Sequence, residues 1–369
     1  MKLAVTGHDG FIGYHLYHNL KFSESYKILD FKKSYFDDPI KLDNLISGLD
    51  VIIHLAGINR SKNQNDIFTK NMLLTEKLID SFERTRYKGK LIFASSIKYN
   101  ENNAYGKSKK KSSEMFFDSS NKLGFTFINL IIPNVYGPFC KPNYNSFIAT
   151  FCHNSVNNIK NQIKEDNTVP LIYIDNLVSL INKKIDLQKS EDILVKEDIN
   201  INVSRVKNII EDFKEIYFIN GNIPDLSNNF KINLFNTFHS YMDYNIHFPR
   251  KYNLANDERG SFTEIIRTLS KGQTSFSTTI ANHVRGNHFH SRKIERFSVL
   301  DGEALIKIRK VGTNRVFSFK LSGKVPCYID MKVWHTHNIE NIGDSKLITV
   351  FWINEFYDKD DPDTFFEKV

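Results

Sequence analysis

The sequence predicts an α/β doubly wound parallel sheet followed by an all-β barrel domain, and three observations carry that expectation. Continuous apolar runs alternate with stretches of helical periodicity through the first two thirds of the chain. A glycine triplet, Gly7, Gly10 and Gly13, follows directly on the first of those runs. Beyond about residue 245 the pattern changes to short alternating strands with few helices.

Each element follows from its local composition. Lys2–Thr6 is a short apolar strand, and the helix after the glycine turn begins near Phe11. A second strand covers Tyr26–Phe31. The run Asp50-Val-Ile-Ile-His-Leu-Ala56 has no polar alternation, as expected of a strand buried on both faces, and it stands where the fourth strand of such a sheet should end. Ile67, Met72, Leu74, Leu78, Ile79 and Phe82 recur near helical spacing over residues 66–84. Lys90–Ser95 and Phe125–Ile132 are further buried strands. A loop at Asn220–Asn229, with Gly221 and Pro224, precedes an apolar segment, Phe230–Met242, that closes the first domain. The expected domains are therefore residues 1–243 and 244–369, and within the second Asp301-Gly302 signals a hairpin turn.

Size and composition narrow the class. A chain of 369 residues is comfortable for two domains, and 41% hydrophobic residues suffice for packed cores. No apolar run reaches the roughly 18 residues of a membrane span, and MKLAVTGHDGFIG lacks the parts of a signal peptide, so the expected location is cytoplasmic. Cys140, Cys152 and Cys327 show no CxxC spacing and read as reduced thiols. The net charge of +8 comes from scattered lysines, which argues against nucleic acid as the partner and suits small anions such as sugar nucleotides. No internal repeat is present.

The glycine triplet after a strand gives a tight turn, close backbone approach to a pyrophosphate and a helix N-terminus facing its charge, the features of a Rossmann-type site. The expected cofactor cradle is Gly7, Gly10, Phe11, Ile12 and Gly13, with Leu55, Ala56 and Gly57 at a strand end and Asn71 on the next helix. Asp30 would bond a ribose 2′-hydroxyl and favour NAD, whereas Lys32 and Lys33 would neutralise a 2′-phosphate. The balance leans to NADP(H), with NAD possible. Ser95 and Ser96 end a strand, and Tyr105 and Lys109 lie i, i+4 on one helix face. An ammonium beside the phenol should draw its pKa down, letting Tyr105 exchange a proton with a sugar oxygen that Ser96 also bonds. Ser96, Tyr105 and Lys109 are the expected catalytic residues.

These residues resemble the extended short-chain dehydrogenase/reductase family, as do Pro133-Asn134-Val-Tyr-Gly137-Pro138 and Tyr173-Ile-Asp175-Asn176. The resemblance covers about residues 1–240. Ile131 departs from it, since many members carry arginine there.

In the second domain His288 and His290 are two apart on a strand and point to one face, Glu295 starts the next strand, and His337 lies on a later one. Three imidazoles and a carboxylate suit Zn²⁺, Ni²⁺, Mn²⁺ or Fe²⁺, with Zn²⁺ preferred. His335 is a spare ligand or an acid/base. The spacing from His288 to Gly302 resembles the first cupin motif and His337-(x3)-Asn341 the second, although Lys332 and Trp334 stand where Pro and Gly are usual. Asp257-Glu-Arg259-Gly260-Ser-Phe262 is similar to a stretch of cupin-type epimerases acting on keto-deoxysugars, in which Arg259 would grip a phosphate or sugar oxygen.

Together the halves resemble bifunctional capsular-polysaccharide enzymes that make UDP-2-acetamido-2,6-dideoxy-L-talose. Lys141-Pro-Asn143-Tyr-Asn145-Ser146 and Asn338-Ile-Glu-Asn341 extend that likeness. It implies a UDP-4-keto sugar held by Asn134, Lys141, Asn143, Asn145 and Arg259, inverted at C3 by the cupin and reduced at C4 with NADPH. It also implies a homodimer. The order has an independent reason: a C3 proton is acidic only while C4 is a carbonyl, so epimerisation must come first. The metal could serve the enolate or only the fold. The alternative is a single-activity 4-ketoreductase whose cupin is structural and dimerising.

Overall fold

Apolar runs without polar alternation must bury both faces, and here they do so in a parallel sheet. The computed structural model describes residues 1–252, 255–257, 260–262, 265–269 and 272–369, in two compact units. The first holds Met1–Tyr136, Cys140–Phe147 and Asn167–Ile201; the second holds Gly137–Phe139, Ile148–Asp166 and Asn202–Val369.

In the first unit β1 (Lys2–Thr6), β2 (Lys27–Ile28), β3 (Val51–His54), β4 (Lys90–Ser96) and β5 (Thr126–Ile132) form the main ladder. Two short strands, β6 (Asn134–Tyr136) and β7 (Thr168–Tyr173), precede β8 (Glu191–Leu194) and β9 (Ile199–Asn202). The main sheet runs β2-β1-β3-β4-β5-β8 with every pair parallel, while β6, β7 and β9 form a second, small sheet. The helices are α1 (Phe11–Lys21), α2 (Pro39–Ile46), α3 (Gln64–Thr85), α4 (Ala104–Leu123), α5 (Phe147–Val156) and α6 (Ile174–Ile185), with nearly all of α5 in the second unit. Leu78, Phe82 and Phe116 from α3 and α4 pack with Ile52, Leu91 and Phe127 of the sheet into one core. The run at residues 50–56 is thus third in the chain, not fourth. It pairs with β1, so the strand order reverses between β1 and β3. That is the crevice where a doubly wound sheet takes its ligand. The expected strand Tyr26–Phe31 contracts to two residues because it is an edge, paired with β1 alone.

Besides most of α5, the second unit holds α7 (Val203–Phe213), α8 (Asn229–His239) and α9 (Tyr244–His247). Its strands are β10 (Arg250–Lys251), β11 (Ala255–Asp257), β12 (Gly260–Phe262), β13 (Gln273–Thr279), β14 (Val284–Phe289), β15 (Glu295–Asp301), β16 (Glu303–Lys310), β17 (Val316–Ser322), β18 (Cys327–Met331), β19 (His335–Asn341), β20 (Leu347–Ile353) and β21 (Phe365–Phe366). Two antiparallel five-stranded sheets, β10-β18-β15-β20-β13 and β17-β16-β19-β14-β21, make the cupin barrel. Because β15 and β16 fall in different sheets, Asp301-Gly302 is a corner between sheets and not the hairpin its composition suggests. Gly302 takes φ +88°, and a Cβ there would stand 3.0 Å from the Leu347 Cα. A buried polar network ties the preceding helices to this barrel. Arg296 donates to both Asp330 oxygens at 2.9 and 3.0 Å, and the Tyr217 hydroxyl reaches both Asp330 and His239.

No described helix is long and apolar enough to cross a membrane. Cys140, Cys152 and Cys327 are free thiols.

Candidate functional site

Two groups of side chains carry chemistry, one in each unit. The first lies at the strand-order reversal. Gly7 takes φ +72°, and a Cβ there would stand 2.8 Å from the Ala56 nitrogen. A Cβ on Gly13 would fall 2.1 Å from the Gly7 carbonyl oxygen, so this turn closes only with glycine. The Thr6 hydroxyl bonds His54 Nδ1 at 2.7 Å and accepts from the Ala56 N–H at 3.1 Å, locking the ends of β1 and β3 together. Gly10 caps α1 without any side-chain hydrogen bond, and the first turn holds no acid, so Phe11 and Ile12 open a helix N-terminus suited to an anion. Leu55, Ala56 and Gly57 continue β3 on the opposite bank. Asn71 accepts from the Ile58 N–H at 2.8 Å and donates to the Ile58 carbonyl at 2.9 Å, which holds that bank in place. This glycine-lined cradle fits a dinucleotide.

Ser96 ends β4 and Tyr105 lies in the first turn of α4, where the serine hydroxyl acts to lower the phenol's pKa. The Lys109 ammonium stands 5.8 Å from the Tyr105 ring centre and donates to the Ala94 carbonyl at 2.6 Å. Asn103 caps α4 by accepting from the Gly106 N–H at 2.8 Å. Gly106 sits so close to the preceding turn that a Cβ would lie 2.5 Å from the Glu101 and Lys98 carbonyls. Composition alone did not single out Asn103 or Gly106, although a glycine inside a helix start is a signal of close packing. The phenol differs from expectation: burial raises the Tyr105 pKa, and the Ser96 hydrogen bond opposes this without reversing it. Burial also brings the Lys109 ammonium down to about 8. At neutral pH, then, both groups keep their protons, the state that delivers a proton to a substrate. Reduction by this set should fall as pH rises through about 8, where Lys109 discharges. A kcat/KM profile for reduction checks this, and a flat profile across that range would contradict it.

Asp30, Lys32 and Lys33 lie exposed after β2. Asn134 begins β6 and donates to the Pro170 carbonyl at 3.2 Å, while Lys141, Asn143 and Asn145 are exposed on the loop before α5. Arg259 lies outside the described residues.

The second group is in the cupin barrel. The donor atoms of His288, His290, Glu295 and His337 all lie within 4.8 Å of one another. A β-bulge aligns them: β14 pairs Gly286 with Asn338 and His288 with His337, so Asn287 is the extra residue. That insertion puts His288 directly opposite His337, with ring centres 4.8 Å apart. Gly286 has φ +95°, and a Cβ there would stand 2.7 Å from the His337 carbonyl. Gly286→Ala should therefore cost about 1–3 kcal/mol and loosen the cluster, measured by chemical denaturation and by metal content. Unchanged metal content would contradict the bulge's role.

Hydrogen bonding fixes the tautomers. His290 Nδ1 faces the Asp363 carbonyl at 2.5 Å and His337 Nδ1 faces the His335 carbonyl at 3.2 Å, and a carbonyl can only accept. Both Nε2 atoms of the neutral rings then turn lone pairs towards Glu295 Oε2, at 3.3 and 3.0 Å. These three buried atoms have no hydrogen-bond partner among the described residues. Acceptors face one another at such range only with a proton or a metal cation between them, and this set of three imidazoles and a carboxylate fits a divalent ion. His335 points elsewhere, its Nδ1 held by the Val333 carbonyl at 3.0 Å. His288, Glu295 and His337 line a cavity of about 210 Å³ with Ser277, Arg285 and Phe297.

Residues 3–201, more than half of the chain, match the model of the NAD dependent epimerase/dehydratase family. The chain belongs to this family. Residues 255–365 match the polysaccharide biosynthesis C-terminal domain. Across the whole chain there is similarity to a capsular polysaccharide assembling protein, CapF, from Staphylococcus aureus. The identity is 30%, the TM-score 0.63, and coverage is 100% of both chains. A UDP-2-acetamido-2,6-beta-L-arabino-hexul-4-ose reductase of Pseudomonas aeruginosa is 29% identical over 99% of this chain and 98% of its own. A UDP-N-acetylglucosamine 4-epimerase from Bacillus cereus shares the Rossmann-type fold at 20% identity and TM-score 0.51, covering 58% of this chain and 82% of its own.

Proposed function

We propose that this chain converts a UDP-2-acetamido-2,6-dideoxy-4-keto-hexose to UDP-2-acetamido-2,6-dideoxy-L-talose, by C3 epimerisation in the cupin domain and then C4 reduction in the Rossmann-type domain. The carrying observation is the presence on one chain of the Ser96–Tyr105–Lys109 set and of a buried His/Glu cluster that opens on a cavity. The similarity to a reductase named for a hexul-4-ose supports the choice of ketone.

For reduction, Tyr105 donates its phenolic proton to the C4 oxygen as C4 accepts a hydride, and Ser96 hydrogen-bonds the same oxygen. The Lys109 ammonium beside the ring stabilises the phenolate left behind. Gly7, Gly10 and Gly13 would hold NADPH, Lys32 and Lys33 would neutralise its 2′-phosphate, and the bound cofactor would supply the hydride. For epimerisation, His288, His290, Glu295 and His337 would hold a divalent cation, Zn²⁺ preferred, that supplies positive charge for an enolate oxygen. The reacting sugar enters beside these residues through the cavity that Arg285 and Ser277 also line. The assembly is read as a homodimer, from its likeness to capsule enzymes.

The test supplies the 4-keto sugar and NADPH to the purified chain and determines the stereochemistry of the product. Loss of nicotinamide absorbance with an inverted C3 centre is expected. Reduction with C3 retained would leave a 4-ketoreductase with a structural cupin.

A further inference from the structure

The C-terminal segment folds back onto β14, the strand that carries His288 and leads directly into His290. Strand β21 pairs with β14 through His288–Phe366 and Phe289–Phe365. Just before it stands Asp363, 4% exposed, with φ +39°, a left-handed conformation that aspartate tolerates better than most residues. Its carboxylate accepts from the Ser291 N–H and hydroxyl at 3.0 and 2.7 Å, the Arg292 N–H at 2.9 Å and the Lys293 N–H at 3.0 Å. One side chain thereby gathers the three successive backbone donors that follow His290. Its own carbonyl meanwhile accepts from His290 Nδ1 at 2.5 Å.

These bonds act in one direction. The carboxylate fixes where the 291–293 turn lies relative to Asp363, and the unusual φ turns the Asp363 carbonyl onto the imidazole. The carbonyl then dictates the tautomer that leaves His290 Nε2 bare and aimed at Glu295. No other residue among those described bonds both His290 and the turn after it.

We propose that Asp363 is the positioning residue of the cupin metal centre: it clamps the 291–293 turn and sets the tautomer and direction of His290. This rests on the reading of His288, His290, Glu295 and His337 as a metal site.

The experiment uses the full chain, freed of metal and titrated with Zn²⁺ against a chromophoric chelator, and Co²⁺ to record its visible ligand-field bands. Wild-type protein, Asp363→Ala, Asp363→Asn and Arg309→Ala are compared. Arg309→Ala serves as the control because Arg309 ties the same C-terminal segment elsewhere, to Glu367 at 2.7 Å and the Lys368 carbonyl at 2.5 Å, without touching the 290–293 turn. Asp363→Ala should weaken Zn²⁺ binding about 10- to 100-fold and change the Co²⁺ bands. Asp363→Asn, which keeps one carbonyl acceptor, should fall between, and Arg309→Ala should bind like wild type even if its thermal midpoint drops. Wild-type affinity and an unaltered Co²⁺ spectrum in Asp363→Ala would overturn the proposal. So would equal losses in Asp363→Ala and Arg309→Ala, which would make the effect one of general tail docking. Failure of the wild-type chain to bind either metal would instead remove the metal centre on which the proposal rests.

Discussion

Tyr105→Phe should lower reduction of the 4-keto sugar by about 10²–10⁴-fold in kcat, the contribution of a positioned general acid, while proton exchange at C3 should continue. In the proposed reduction the Tyr105 phenol is the proton source, and the Ser96 hydroxyl at the end of β4 acts on it. Burial raises the Tyr105 pKa and so keeps that proton in place at neutral pH. Phenylalanine preserves the ring's packing beside Lys109 and removes only the hydroxyl, so the loss reports chemistry more than folding. Stopped-flow oxidation of NADPH measures it, and undiminished oxidation in the variant would take Tyr105 out of this role.

The second large effect falls on the cupin. His290→Ala opens the cluster at its most constrained ligand, whose Nδ1 is already committed to the Asp363 carbonyl. Glu295 Oε2 would keep only the His337 Nε2 neighbour at 3.0 Å. Metal content should drop, and C3 exchange should fall by about 10²–10³-fold, the scale of losing preorganised charge stabilisation at a developing oxyanion. Substrate already inverted at C3 should still be reduced at the wild-type rate. Exchange that survives loss of the metal would assign the ion to the fold alone.

The sequence made much of this architecture legible because burial on both faces and glycine geometry are local constraints. Val51–His54 and Lys90–Ser96 could be read as parallel strands from apolar continuity, and the Gly7–Gly13 turn from spacing that only a tight loop before a helix explains. Pairing partners were less legible. Asp301-Gly302 carries ordinary hairpin chemistry, yet which sheet each flanking strand joins is decided by contacts far away in sequence. The same holds at the sites. His288 and His290 announce themselves by alternation, but the bulge at Gly286–Asn287 and the Asp363 clamp depend on long-range register. A glycine inside a strand was the one available hint of the former. The Tyr105 proton affinity differs from the sequence-based expectation because the depth of burial, which spacing does not reveal, raises it beyond what the Ser96 hydroxyl offsets, and the Glu101 charge raises it further.

The central claim, that the cupin acts on the ketone before the Rossmann-type domain removes it, is tested most directly by hydrogen exchange without reductant. The full chain is incubated in D₂O with the UDP-4-keto sugar and no NADPH, and the sugar is followed by NMR. Deuterium should enter C3 with no nicotinamide present, followed by reduction to a product deuterated at C3 once NADPH is added. Retention of the C3 proton throughout, with normal reduction on adding NADPH, would contradict it.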